Sequence, residues 1–267
     1  PNVTRAMNCL EQQINSTLFV RTNKGVQLTQ EGKRLYEHVS IAMAQLLEAE
    51  EELADNEGIF QGSISIGASE TALNIFLLDI LKSFHKMYPK VRLKIYNHST
   101  PQAIQALTSD IVDFAAVTTP LDIKSPLEKI PLASYREILI GGRKYKKLAE
   151  HTQKLEDIAS LPFISLDENS STRELYNSFF LEQGLSFAPD METATTDQML
   201  PLITHNLGIG FYPKKMAELA LTKGDVYQIP LEEKLPLRRI YLVTNGSTAK
   251  STAVRKMIKF IQEYHKI

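Results

Sequence analysis

The chain has 267 residues, enough for two or more domains at roughly 100 to 200 residues each. Its 43% hydrophobic and 23% charged content is that of an ordinary globular chain, and a net charge of −1 gives no global field toward nucleic acid or a membrane surface. One cysteine, Cys9, excludes an internal disulfide and a thiolate metal cluster, which fits a reducing, cytoplasmic compartment, and no apolar run approaches the ~20 residues that cross a bilayer.

The chain opens at Pro1, without a methionine and in the middle of an element, so further residues are expected upstream. Val3, Ala6, Met7 and Leu10 recur at steps of three, one and three, one face of a helix over 1–13 in which Pro1 is tolerated in the first turn. Asn15 is expected to close it in the left-handed conformation. Leu18-Phe19-Val20 and Val26-Gln27-Leu28 then flank Thr22-Asn23-Lys24-Gly25, a short hairpin whose glycine supplies a positive φ. Thr29 before Gln30-Glu31-Gly32 reads as an N-cap, and nothing breaks the following helix until about Asn56. Along it Leu35, Val39, Ala42, Leu46, Ala49 and Leu53 alternate at steps of four and three, a heptad seam. A single helix cannot bury so narrow a stripe by itself, so a partner helix from a second copy of the chain is expected, with packing on its own domain as the alternative.

After Asp55-Asn56-Glu57-Gly58 the grammar changes. Strands at 63–67, 91–96 and 114–117 alternate with helices at 73–88 and 101–107, the order of a mostly parallel sheet covered by helices. Residues 134–141, SYREILIG, read as another strand. A second round places strands at 163–165, 191–194 and 209–212 and helices at 172–183 and 198–204. The segments IQALTSDIVDFAAV and MLPLITHNLGIGFY overlay with Asp110 on Asn206, an offset of 96 residues, and bring Leu107 onto Ile203 and Ala115 onto Phe211. Two lobes are therefore expected, with a strand at 239–243 and a helix at 253–264 closing the chain.

Paired lobes of parallel sheet place a cleft at the carboxyl ends of their strands, where open α/β sheets bind ligands. The residues expected there are rich in hydroxyls: Ser69 and Thr71 after the first strand, Ser99 and Thr100 after the second, Thr118 at the third, and Ser171 and Thr195 in the second lobe. Each is also a helix-start signal. Together, hydroxyls and helix N-termini facing one cleft make a seat for a small anion, most simply a carboxylate.

The N-terminal residues carry a further pattern. Pro1, Val3, Thr4, Arg5, Ala6, Leu10 and Glu11, then Leu18, Phe19 and Arg21, then Val26, Leu28, Thr29 and Gly32 follow in order and spacing the signature of the LysR-type transcriptional regulators, with threonine at position 4 for the usual serine and Asn15 for a glycine. The chain resembles that family over its whole length. The resemblance implies an α/β protein with a winged helix-turn-helix, partial here because two helices would precede Pro1, a dimerising linker helix, and two Rossmann-like lobes as in type 2 periplasmic binding proteins. The corresponding boundaries are 1–28, 29–57 and 58–267, with lobe I at about 58–134 and 238–267 and lobe II at about 135–237.

The resemblance makes the first segment the recognition helix and wing. Residues 1–34 hold Arg5, Arg21, Lys24, Lys33 and Arg34 against Glu11 and Glu31, a local positive excess in a chain that is nearly neutral. Asn2, Thr4, Arg5 and Asn8 would then face base edges in the major groove, with Arg5 suited to a bidentate guanine contact, while Arg21, Asn23 and Lys24 would hold phosphates. The partners implied are operator DNA, a small carboxylate or other anionic effector, and further copies of the chain as a dimer, with pairing of dimers into a tetramer expected.

Other chemistries fit poorly. Six scattered histidines lack the spacing of a metal site, and of them only His98 is expected at the cleft. Gly208-Ile209-Gly210 is half of a dinucleotide fingerprint. No cofactor is implied. Two rival readings share the two-lobed fold: a solute-binding module without a DNA role, and a small-acid lyase or dehydratase. The second would need an acid-base pair where the cleft offers Glu70 alone.

Overall fold

The computed structural model describes residues 2–22, 25–55, 61–248 and 250–264. The chain divides into two compact units, Pro1–Phe60 with Gly246–Thr252, and Gln61–Asn245 with Ala253–Ile267.

In the first unit helix α1 (Asn2–Gln13) ends where Asn15 takes φ 51°, the left-handed closure expected of it. Strands β1 (Phe19–Thr22) and β2 (Gly25–Leu28) pair antiparallel with Thr22 opposite Gly25, whose φ is 118°. Helix α2 (Gln30–Asp55) follows. The motif residues explain how these pieces lock. Glu11 Oε1 accepts from the backbone N–H of Leu18 (2.6 Å) and Phe19 (3.0 Å), fixing the hairpin's entry to α1. The Thr29 hydroxyl donates to the Thr17 carbonyl at 2.7 Å and accepts from Gly32 N at 2.9 Å, an N-cap that ties α2 to the strand entry. A Cβ on Gly32 would collide with the Leu18 carbonyl, so this close approach requires glycine.

The second unit begins with β3 (Gly62–Ala68), α3 (Glu70–Ala72), a π-helical turn (Leu73–Leu77), α4 (Leu78–Met87), β4 (Val91–Asn97), α5 (Thr100–Thr108), β5 (Phe114–Thr118) and β6 (Leu127–Tyr135). Then come β7 (Glu137–Gly142), a 3-10 turn (Arg143–Ala149), α6 (Leu155–Ile158), β8 (Ile164–Leu166), α7 (Ser171–Glu182) and β9 (Met191–Thr193). The last elements are α8 (Thr196–Thr204), β10 (Ile209–Pro213), α9 (Lys214–Lys223), β11 (Val226–Ile229), β12 (Arg238–Asn245) and α10 (Thr252–Tyr264).

Two sheets define two lobes. Lobe I orders its strands β4-β3-β5-β12-β6; β3 runs parallel to β4 and β5, while β12 is antiparallel to both β5 and β6. Lobe II orders β10-β7-β11, all antiparallel, and carries the parallel pair β8-β9 through a bridge from Phe163 to Ile209. The mostly parallel sheet expected from the sequence is thus confined to the strands whose ends meet the cleft. SYREILIG is not one strand. β6 stops at Tyr135 and β7 starts at Glu137, so Arg136 is the step from one lobe to the other. β7 is buried throughout while β6 is buried only at Leu132 and Tyr135, but no turn residue separates Tyr135 from Glu137, so the sequence gives no sign that the sheet has changed.

The half-fingerprint Gly208-Ile209-Gly210 has a packing explanation: a Cβ at Gly210 would stand 2.7 Å from the Ile164 carbonyl, and one at Gly208 2.6 Å from that of Pro162. The glycines let β10 lie against the segment carrying β8.

Candidate functional site

The cleft is assembled from strand ends and helix starts. Ser69 follows β3 and caps α3, its Oγ accepting from Ala72 N at 3.2 Å. Ser99 follows β4 and opens α5, with its backbone N–H donating to Gln102 Oε1 at 2.9 Å. In lobe II Ser170 caps α7, its Oγ accepting from Thr172 N at 3.2 Å, and Thr195 stands at the N-cap of α8. Between them lies a cavity of about 40 Å3. At about 10–15 Å3 per water-sized guest, that is room for roughly three waters or one carboxylate-sized group.

Six of the seven residues expected in this site line the cavity: Ser69, Thr71, Ser99, Thr100, Thr118 and Thr195. Ser171 does not, whereas its neighbours Ser170 and Thr172 do. The cause is a helix that starts one residue earlier than the sequence suggests. Ser170 becomes the N-cap, and Ser171 becomes the first helical residue, facing elsewhere. Asn97, His98 and Thr196 also contribute.

The hydrogen-bond inventory gives the cavity its polarity. A hydroxyl has one proton to donate and lone pairs to accept. The Ser69 and Ser170 oxygens already accept from helix N–H groups. The Thr118 and Thr172 oxygens accept from Arg238 Nη2 at 3.2 and 2.9 Å. All four can therefore turn their protons toward a guest. Thr100 differs: its hydroxyl donates to the Thr118 carbonyl at 3.0 Å, so its proton is committed inside lobe I. His98 Nε2 is buried without a hydrogen-bond partner, and its ring stacks on Tyr96 at 6.1 Å between centroids.

Against these donors stands one carboxylate. Glu70 Oε1 accepts from Asn74 Nδ2 (2.5 Å) and Oε2 from Asn97 Nδ2 (3.1 Å). Neighbouring Tyr212 is buried, and burial together with the Glu70 and Asp197 carboxylates pushes its phenol up to about 12. Among the described residues no group of three or more His, Cys, Asp or Glu could hold a metal ion, and no helix is long and apolar enough to cross a membrane.

In the first unit Thr4, Arg5 and Asn8 lie exposed on α1. The side chains of Asn2 and Arg21, and the whole of Asn23 and Lys24, lie outside the described residues. On α2 the seam residues Val39 and Leu46 are 53% and 63% exposed in the single chain, Ala42 is exposed and Leu35 half-buried, while the side chains of Ala49 and Leu53 lie outside the described set. Tyr36 and Met43 are exposed beside them, which widens the apolar stripe.

A two-lobed ligand-binding unit, preceded by a helix, a hairpin and a long helix with an exposed apolar stripe, defines the class. Sequence comparison supplies the family. Residues 58–266 match the LysR substrate binding domain, and residues 1–33 match the bacterial regulatory helix-turn-helix protein, lysR family. The chain belongs to the LysR family of transcriptional regulators, whose members bind operator DNA and small-molecule effectors and oligomerise.

It is 26% identical over 263 residues to the HTH-type transcriptional regulator CzcR of Bacillus subtilis, spanning 98% of this chain and 88% of that protein. The effector binding domain of QuiR in complex with shikimate aligns with a TM-score of 0.68 at 21% identity, over 77% of this chain and 98% of that one. The regulatory domain of Synechocystis PCC6803 CcmR in complex with 2-PG aligns with a TM-score of 0.69 at 16% identity, with the same two coverages.

Proposed function

We propose that this regulator is a cytoplasmic sensor of a small hydroxy carboxylate, bound in the cleft between its lobes. The observation that carries the reading is the set of four hydroxyls, on Ser69, Thr118, Ser170 and Thr172, that already accept hydrogen bonds and so have protons to give. A carboxylate has only acceptors and matches them, helped by the positive ends of α5, α7 and α8. The Glu70 carboxylate at the same cavity would take a hydroxyl or ammonium proton from the other end of the guest. Shikimate, held by the structurally similar QuiR domain, has this pairing of carboxylate and hydroxyls. No turnover is proposed, because Glu70 is the one carboxylate among the lining residues and both its oxygens are held by asparagine amides.

In the same reading Thr4, Arg5 and Asn8 on α1 enter the major groove with Asn2, and Arg21, Asn23 and Lys24 on the hairpin hold phosphates. The stripe Leu35, Val39, Ala42, Leu46, Ala49 and Leu53 joins two copies through α2. Ser99, Thr100, Thr71 and Thr195 complete the effector site.

The test is calorimetry on the full chain with acetate, glycolate, pyruvate and shikimate, each beside its primary amide. Carboxylates should bind at least about tenfold more tightly than the amides, the ratio worth one charge-assisted hydrogen bond. Equal binding of acid and amide would sink the proposal.

A further inference from the structure

Arg238, the first residue of β12, is not among the residues that line the cavity, yet it is 2% exposed and hydrogen-bonds to two that do, Thr118 and Thr172. On the lobe I side its Nε donates to the Thr119 carbonyl at 2.8 Å, and Nη2 donates to that carbonyl and to Thr118 Oγ1. On the lobe II side the same Nη2 donates to Thr172 Oγ1, and Nη1 donates to Glu137 Oε1 at 2.7 Å. Glu137 Oε2 in turn accepts from the Tyr176 hydroxyl at 2.9 Å. The guanidinium carbon lies 5.4 Å from the Tyr135 ring centroid. Tyr135 and Glu137 flank one crossing between the lobes, and Arg238 ends the other.

We infer that Arg238 is the positioning residue of the effector cleft. It holds one threonine hydroxyl from each lobe at a fixed spacing, with both protons turned toward the guest, and so ties occupancy of the cleft to the separation of the lobes. This rests on the effector reading for its consequence, but its geometry stands without any ligand. A buried ion pair alone would not need this arrangement. Arginine-carboxylate pairs serve packing in many cores, and replacing them by apolar residues is often neutral. Here the planar fork matters because Nη1 is held by Glu137 while Nη2 shares its two protons among the Thr119 carbonyl and the Thr118 and Thr172 hydroxyls. A lysine has one nitrogen in place of Nη1 and Nη2, so it could keep the contact with Glu137 but not the threonine contacts at the same time.

That difference makes the test. In a Cys9→Ser background of the full chain, spin labels at Met87→Cys on α4 and Leu219→Cys on α9 report lobe separation, both positions being exposed, at 58% and 67%. Labelled chain is diluted with unlabelled chain, and no ligand is present. Arg238→Lys should stay within about 4 °C of the parent melting temperature while its inter-lobe distance distribution broadens. Thr172→Val, which leaves the pair with Glu137 untouched, should broaden it as well. Arg238→Met with Glu137→Gln removes the charge and its partner together, and should fold with the same broadening. A narrow, parental distribution in Arg238→Lys or in Thr172→Val would overturn the inference, as would melting temperature and distance changing only in step.

The acetate, glycolate, pyruvate and shikimate series is then repeated on Arg238→Lys. Affinity should fall about tenfold although no lining residue has changed. Absence of binding to the parent chain would refute the effector reading while the spin-label outcome still decides the role of Arg238.

Discussion

Helix α5 of lobe I spans Thr100–Thr108 and helix α8 of lobe II spans Thr196–Thr204, and each is followed by a residue at positive φ, Asp110 at 53° and Asn206 at 63°. Each also points its N-terminus, at Ser99 and Thr195, into the same cavity. Behind these matched ends the lobes differ. Lobe I packs α5 on its sheet through Ala103, Ala106, Leu107, Val112, Ala115 and Val117, mostly small aliphatic side chains. Lobe II packs α8 through Met199 and Ile203 on Ile138, Ile140 and Ile164, and behind α7 it gathers Phe163, Tyr176, Phe179 and Phe180 around Phe211, with ring centroids between 4.9 and 6.4 Å from it. The two matched helices thus rest on mainly aliphatic side chains in both lobes, and the aromatic filling of lobe II is confined to the face that α7 covers. Helix direction and capping belong to binding, and core identity belongs to packing within each lobe.

The sharpest way to break this comparison is at Ala115, which faces α5, and Phe211, which faces α7, two positions that the sequence overlay pairs. Phe211→Ala should cost about 3–5 kcal/mol, because it removes the ring at the centre of a cluster in which four other aromatic rings pack on it. Ala115→Phe should cost about 1–3 kcal/mol or more by overpacking a fully buried strand between two neighbours. Urea denaturation of both variants measures this. Two small, similar losses would show that the cores are more interchangeable than their composition suggests.

The next residue carries a pH contrast. Tyr212 packs on the α8 side of lobe II, whereas the strand residues on the α5 side of lobe I are Ala115 and Val117, so the titration has no counterpart there. Burial, then the Glu70 and Asp197 carboxylates, raise the Tyr212 phenol from 10.0 to about 12, so the fold favours the neutral form. Its stabilising contribution is complete below pH 10 and is lost as pH rises through 12. Tyr135 and Tyr176 are raised further by burial and act in the same direction. Stability should therefore fall steeply above pH 10, and Tyr212→Phe should flatten part of that fall. An unchanged slope in the variant would assign the loss to the other two tyrosines.

Much of this plan was legible in the residues. Asp110 and Asn206 are short polar side chains suited to the left-handed closure of a helix, and that chemistry matched the two helix ends. Within the strands the overlay slips, since Ala115 packs against α5 while Phe211 packs against α7. The hydroxyl runs marked the helix starts at the cleft, because capping is a local event. What failed was either a matter of one residue or a matter of distance. In Asn169-Ser170-Ser171-Thr172 any of the hydroxyl residues can cap, and the choice of Ser170 depends on where β8 delivers the chain. Arg238 and Glu137 are separated by 101 positions, and neither sits in a periodic pattern that signals burial. The break at Arg136 was hidden because no glycine or proline separates Tyr135 from Glu137 to punctuate the step.

The smallest expected stability effects separate capping from recognition at the cleft itself. Ser170 and Thr195 both stand at N-caps in lobe II and both line the cavity, but only Ser170 bonds its helix through its side chain. Ser170→Ala should therefore cost about 1 kcal/mol of folding stability and also weaken carboxylate binding. Thr195→Val should leave folding within about 0.5 kcal/mol, because its φ of −137° and ψ of 153° suit a β-branched residue and no cap bond is lost. Its effect should appear only as weaker binding of glycolate or shikimate, read by calorimetry. If Thr195→Val destabilised the fold as much as Ser170→Ala, its hydroxyl would belong to the helix after all. If it changed neither stability nor affinity, Thr195 would leave the effector site, and the match between the two helix starts would be architectural alone.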